Sequence, residues 1–342
     1  MLRKFFSPLM LITVLCGVWL NSAILADAEW TMAQIKNDNF PVFNDVYFAD
    51  KKNGWVVGVA GYGEDGMIFH TEDGGATWEL QKAPANVKTL SRVVFASPKI
   101  GWAVGQDGTI VATKDGGKAW EFQTSKVGNW LFDVFFINEN VGWAVGDTET
   151  VLKTTNGGKT WKALTGGKPA SGVGEAVLLT GVCFVNEKIG WSVGQAGYIA
   201  RTVDGGDNWE KQVSNIEDNL NSLSFIDENT GCAVGEDGSI VCTTDGGATW
   251  KNSRDEALLE KLTRVFFAPK SQEGWAVGTG GTILHTKDGG AKWQKQERLT
   301  VEMKIGAEKV RSQYSQDMTS VFALEPKLYW VVGQDWVFKY TE

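Results

Sequence analysis

Six times along this chain the same eight-residue box returns: TEDGGATW at 71–78, TKDGGKAW at 113–120, TTNGGKTW at 154–161, TVDGGDNW at 202–209, TTDGGATW at 243–250 and TKDGGAKW at 286–293. The first Thr, the Gly-Gly pair and the Trp never change. Repetition at a period of about 43 residues means an array of small units that bury their apolar faces on one another. Each unit also begins alike. An apolar strand comes first: DVYF at 45–48, RVVF at 92–95, DVFF at 133–136, GVCF at 181–184, SLSF at 222–225 and RVFF at 264–267. A second opens on Gly54-Trp55, Gly101-Trp102, Gly142-Trp143, Gly190-Trp191, Gly231-Cys232 and Gly274-Trp275. A glycine turn and a third strand lead into the box. Four short alternating strands per unit predict a propeller blade.

The chemistry inside the box is that of a turn. Asp73, Asp115, Asp204, Asp245 and Asp288, with Asn156 in the third box, can accept hydrogen bonds from main-chain amides two or more positions on. The glycines permit positive φ, and the Trp lays a large ring over the hairpin. These residues read as structural.

A seventh unit starts at Met318, with an inner strand, a second strand at Tyr329-Trp330 and a third ending at Thr341, and it has no box. The segment Glu29-Trp30-Thr31-Met32 resembles Thr77-Trp78-Glu79-Leu80 and can supply the missing fourth strand. The expected fold is an all-β, seven-bladed β-propeller of four-stranded blades over residues 29–342, a single domain. Its last blade is shared between 29–36 and 318–342, which removes the two free edges of the open array.

The chain of 342 residues has 33 Lys+Arg against 41 Asp+Glu, a formal charge of −8, which speaks against nucleic acid as a partner. With 2 His and 4 Cys, no metal or cofactor set is visible. His70 and His285 share one repeat position, filled elsewhere by Ala112, Lys153, Arg201 and Cys242, and that tolerance marks a packing or surface slot. Cys232 and Cys242 face each other across a glycine turn and can form a cross-strand disulfide, provided the register puts both thiols on one face. Residues 1–28 carry Arg3-Lys4, an apolar run from Pro8 to Leu20 and Ala26-Asp27-Ala28, the pattern of a secretory signal peptide cut before Glu29. The run is short for a membrane span, which takes about 20 apolar residues; an uncleaved anchor tethering the protein is the alternative. Either way the protein is expected to be exported, to a periplasm, a thylakoid lumen or the extracellular space.

The boxes are Asp-box, or BNR, repeats. Together with GWAVG strands, seven blades and an export signal, they resemble the photosystem II stability/assembly factor family over nearly all of residues 30–342. The resemblance implies a non-enzymatic propeller that binds a membrane-complex subunit during assembly. Photosynthetic members carry an arginine-rich patch in their middle blades; here those blades are regular and the whole chain has seven arginines. The box also occurs in sialidases and xyloglucanases, so the resemblance is specific for fold before function.

Blade geometry places loops leading into the inner strands, and second-to-third turns, on one face, with the boxes on the other. The departures in length lie on the first face: 59–66 (VAGYGEDG, with Tyr62), 166–177 and a long charged loop at 296–317. Such loops on a rigid scaffold suit binding. Trp130, and Trp336 at the position of the turn glycines Gly108 and Gly238, fall on that face too, as contacts for a protein or sugar or as packing under a loop. The inner strands bring Asp45, Arg92, Asp133, Gly181, Ser222, Arg264 and Ser320 to the channel mouth. Asp45, Arg92, Asp133 and Arg264 form either a site for a charged peptide or carboxylate, or neutralising pairs across the ring. Two functions follow: a monomeric scaffold for a protein partner, or a glycan binder or glycoside hydrolase. A sialidase would need three channel arginines and a xyloglucanase of this type two propellers, but Asp45 and Asp133 remain available as a carboxylate pair.

Overall fold

Antiparallel pairing follows the repeat. The computed structural model describes residues 29–35, 41–61, 63, 65–164, 177–305, 308–334 and 336–342. Residues 1–28, Tyr62 and nearly all of the 166–177 loop lie outside the described residues. Blade 1 pairs Pro41–Phe48, Gly54–Ala60, Gly66–Thr71 and Glu79–Leu80 in that order, and blades 2 to 6 repeat the arrangement, their inner strands at Leu90–Phe95, Leu131–Phe136, Leu179–Phe184, Leu220–Phe225 and Leu262–Phe267. Blade 7 is Ser320–Glu325, Leu328–Gly333 and Trp336–Thr341, closed by Glu29–Gln34. The closing strand runs antiparallel to the last, with Trp30 opposite Tyr340 and Met32 opposite Phe338. Successive inner strands touch, and that of blade 7 touches that of blade 1, so the seven four-stranded sheets form a ring. No helix among the described residues is long and apolar enough to cross a membrane.

The Gly-Trp pair holds neighbouring blades together. A Cβ on Gly101 would collide with the Phe95 ring, so glycine lets that phenylalanine lie flat on the second strand. The Trp of the preceding blade stacks on the ring's other face: Trp55 on Phe95 at 3.5 Å, Trp102 on Phe136 at 3.5 Å, Trp143 on Phe184, Trp191 on Phe225 and Trp330 on Phe48 at 3.6 Å each. Each of these indoles also donates to a box carbonyl of the next blade, Gly116, Gly157, Gly205, Gly246 and Gly74 respectively. Trp275 stacks on Tyr329 instead, at 3.9 Å, and its Nε1 has no partner because blade 7 has no box. Blade 5 has no such tryptophan. There Cys232 pairs directly with Cys242 and the two form a disulfide that packs against Gly290 of blade 6. The slot holding the histidines caps these indoles: His70 lies on Trp55 and His285 on Trp275, while Lys153 and Arg201 sit over Trp143 and Trp191 as cations.

Two expectations need correction. The long charged loop at 296–317 contains an antiparallel hairpin, Thr300–Ile305 with Glu308–Gln313. It is pinned by the buried Leu299, Val301 and Tyr314, and the Tyr314 hydroxyl donates to Gly333 O at 2.8 Å. Trp336 is no turn residue. It opens the third strand of blade 7 opposite Gly333, half-buried and stacked with Phe338, and the left-handed turn position falls to Gln334 at φ 45°.

Candidate functional site

Each box is a closed hydrogen-bond loop. In the first, Asp73 accepts from the amides of Ala76 and Thr77 and from the hydroxyls of Thr71 and Thr77, while Thr71 Oγ1 accepts from Gly75 N at 2.9 Å. Gly74 and Gly75 take φ of 75° and 97°. Partial burial would raise the Asp73 carboxyl, but the four donors outweigh it and hold the pKa down at about 2. Asp115, Asp204, Asp245 and Asp288 accept in the same way and are held low too, and Asn156 uses its amide oxygen for Thr160 N and its amide nitrogen for the Thr160 hydroxyl. These hydrogen bonds give the box carboxylates a structural role in closing the turn.

A second clasp escapes the sequence reading. Three residues after the box Trp, Gln81, Gln123 and Gln212 reach to the next blade, where the amide oxygen accepts from the box Trp (Trp120, Trp161, Trp250) and the amide nitrogen donates to the box carbonyl. Leu164 breaks the series, and Trp209 Nε1 is buried with no partner. The periodic glutamine was the available signal.

The channel row comes together as one network. Arg92 lies between two carboxylates, Nη1 at 2.9 Å from Asp45 Oδ1 and Nε at 2.9 Å from Asp133 Oδ1. Asp45 and Asp133 are each 2% exposed and Arg92 8%. Asp45 also accepts from Ser320 Oγ and Val93 N, and Asp133 from Val134 N and Val182 N, so the carboxylates tie their blades to the main chain of a neighbour as well. Burial disfavours the Arg92 charge, but the two carboxylates overcome that and its pKa is raised. Asp45, Arg92 and Asp133 thus form neutralising pairs, one of the two readings that the sequence allowed, and all three are buried. Arg264 stands apart. Its Nη1 lies 3.9 Å from Asp133 Oδ2, and burial together with the nearby Arg92 charge lowers its pKa. Beneath this row Cys183 is a free thiol, pushed up to about 11 by burial and so poorly reactive.

On the face opposite the boxes Trp130 is 37% exposed. Its ring stacks on Phe132 and its Nε1 donates to Ser91 Oγ of blade 2 at 2.7 Å, which fixes the ring's orientation. Trp336, the other tryptophan outside the repeat, is more buried and stacks on Phe338. Among the described residues no cluster of His, Cys, Asp and Glu is arranged to hold a metal ion.

A family model described as the photosynthesis system II assembly factor YCF48 matches residues 22–123, 82–174, 124–214 and 212–313. The chain belongs to this family. Solved structures agree at the level of fold. One titled "YCF48 bound to D1 peptide" is 18% identical, covers 92% of this chain and 95% of its own, and superposes with a TM-score of 0.69. YCF48 from Cyanidioschyzon merolae is 19% identical, with 91% and 98% coverage and a TM-score of 0.66. U3-55K reaches a TM-score of 0.70 at 9% identity, over 91% of this chain and 98% of that one, so likeness of this size speaks for architecture alone. Comparison with curated proteins finds no match.

Proposed function

We propose that this protein is an exported, non-enzymatic scaffold that binds a segment of a partner protein, a subunit of a membrane complex, on the face opposite the boxes. Membership of the YCF48 family supports an assembly role, and a solved relative is described with a D1 peptide bound. The observation that carries the choice of face is Trp130, a half-exposed ring stacked on Phe132 and hydrogen-bonded to Ser91. An oriented aromatic surface loses little side-chain entropy on binding, which is why such rings dominate protein contacts. Enzyme chemistry is disfavoured because Asp45 and Asp133, the only carboxylate pair that the sequence offered, both hold Arg92.

A photo-crosslinker in place of Trp130 tests this reading in cells of the source organism. Crosslinks to a membrane-complex subunit, lost when a box-face position such as Lys118 is substituted instead, support it. Crosslinks only from the box face refute it. N-terminal sequencing of the envelope protein, expected to begin at Glu29, tests export and separates a cleaved signal from an anchor.

A further inference from the structure

Packing between blades 5 and 6 departs from the repeat in two places. Ser253 stands where Gln81, Gln123 and Gln212 clasp the next box, so no amide reaches Trp293, whose Nε1 is buried without a partner. The Trp293 ring meets Phe267 at 52°, whereas the other five box tryptophans meet their phenylalanines at 79–90°. The segment leading into blade 6 is also longer by one residue. Val127, Ile216 and Leu258 lay their carbonyls against the turn glycines Gly108, Gly197 and Gly238, and they follow the box Trp by 7, 7 and 8 residues. Blade 5 takes up the extra residue in a turn, closed by Leu258 N on Asp255 O at 2.9 Å. A cavity of about 220 Å³ opens to solvent beside this turn. Ile240, Leu258 and Leu284 form its buried lining, half-buried Trp293 and exposed Ala257 its outer walls, and Asp255 and Lys295 its exposed charged groups. The two charges are not equivalent. Lys295 Nζ is held by Glu260 at 2.6 Å. Asp255 Oδ1 accepts from Ala257 N at 3.0 Å, and Oδ2 has no partner among the described residues.

We propose that this cavity binds an apolar ring or branched aliphatic group that carries a cationic nitrogen, either a small amine or the first residue of a peptide. The size fits a single such group, since an apolar cavity of about 150 Å³ already holds benzene. The carbon body covers the Trp293 ring and Ala257, while the ammonium stays at the exposed rim and donates to Asp255 Oδ2 as a charge-assisted hydrogen bond. The sign of the charge is selected too. Over residues 254–260, Asp255, Glu256 and Glu260 stand against Arg254, so an anion is repelled. The site lies between blades 5 and 6, whereas Trp130 bridges blades 2 and 3, and it does not depend on the function proposed above.

Benzylamine, benzyl alcohol and benzoate are offered in turn to the full chain at low ionic strength, with binding read by saturation-transfer NMR and calorimetry. Benzylamine is expected to bind with a Kd of about 1 mM, the strength open to a ligand of this size. Benzyl alcohol keeps the ring without the charge and is expected to bind about tenfold more weakly, and benzoate not at all. Asp255→Asn keeps an acceptor for Ala257 N and is expected to weaken benzylamine about tenfold while leaving benzyl alcohol unchanged. Ala257→Trp fills the cavity from an exposed position and is expected to abolish binding of both. Thermal melts of the two variants check that the fold is kept, and Asp255→Asn carries the test by itself if Ala257→Trp does not fold. A short peptide beginning with phenylalanine distinguishes the sources: its binding, lost on N-acetylation, assigns a chain terminus, and binding of benzylamine without the peptide assigns a small free amine. Absence of saturation transfer to benzylamine at 10-fold the expected Kd overturns the proposal. So does full benzylamine affinity in Asp255→Asn or in folded Ala257→Trp.

Discussion

Alanine at Gln123 removes both hydrogen bonds by which the outer strand of blade 2 grips the box of blade 3. Gln123 Nε2 donates to Gly157 O at 3.0 Å, and Oε1 accepts from Trp161 Nε1 at 3.0 Å. The two losses differ. Gly157 O keeps a donor in Trp102 Nε1 at 3.2 Å, so that bond costs no more than its net contribution of about 1 kcal/mol. Trp161 is 3% exposed, and its indole N–H would be left buried and alone, at about 1–2 kcal/mol. The amide also fills the space over Gly158, which adds a small void. The total is about 2–3 kcal/mol. Unfolding entropy of about 2.1 cal/mol/K per residue over about 300 residues converts this to a fall in Tm of about 3–5 °C. Thermal melts by far-UV circular dichroism, with calorimetry to check cooperativity, measure it. The reciprocal change sharpens the test. Leu164→Gln places an amide beside Trp209, whose Nε1 now lacks a partner, and is expected to raise Tm by about 1 °C. If Gln123→Ala melts within 1 °C of wild type and Leu164→Gln melts lower, the clasp does not join blades and the reasoning fails.

Arg92→Met strands two buried carboxylates and is expected to cost about 3–5 kcal/mol, a fall of about 5–8 °C by the same conversion; an unchanged melt would mean that the ring does not rely on that cation. Reduction of Cys232–Cys242, whose sequence separation is 10, removes about 2–3 kcal/mol and lowers Tm in reductant, whereas a Cys232→Ala, Cys242→Ala variant should melt identically with and without reductant. The box carboxylates set an acid limit: Asp73 and Asp245 have folded pKa values of about 2 against an ordinary 3.8, so their stabilisation is full above pH 4 and is lost as pH falls toward 2. Melts across that window should show the loss, smaller in Asp73→Asn. Asn156→Asp should make it steeper, since Asn156 alone among the box residues cannot titrate.

Blade number, box turns and closure of the last blade were legible because each rests on local chemistry that repeats. Thr and Asp with Gly-Gly make the same turn wherever they occur, and counting strands left Trp30 as the partner that Tyr340 and its strand lacked. The disulfide was only an option in the sequence, since a slip of one residue would turn the two thiols to opposite faces; the direct pairing of Cys232 with Cys242 in the folded blade decided it. Trp336 was misplaced because a two-residue shift within a turn leaves the pattern of strand residues intact while Gln334 takes the left-handed position. The hairpin at 300–313 belongs to no repeat, so no second copy exposed it. The channel row shows where sequence ends. The repeat delivered its seven residues to one ring, but which arginine is neutralised depends on reach and angle across gaps of 41 and 47 residues. Periodicity in a chain determines which residues share a position; only the closed ring sets the distances between them, and charge pairing falls off too steeply with distance to be read from position alone.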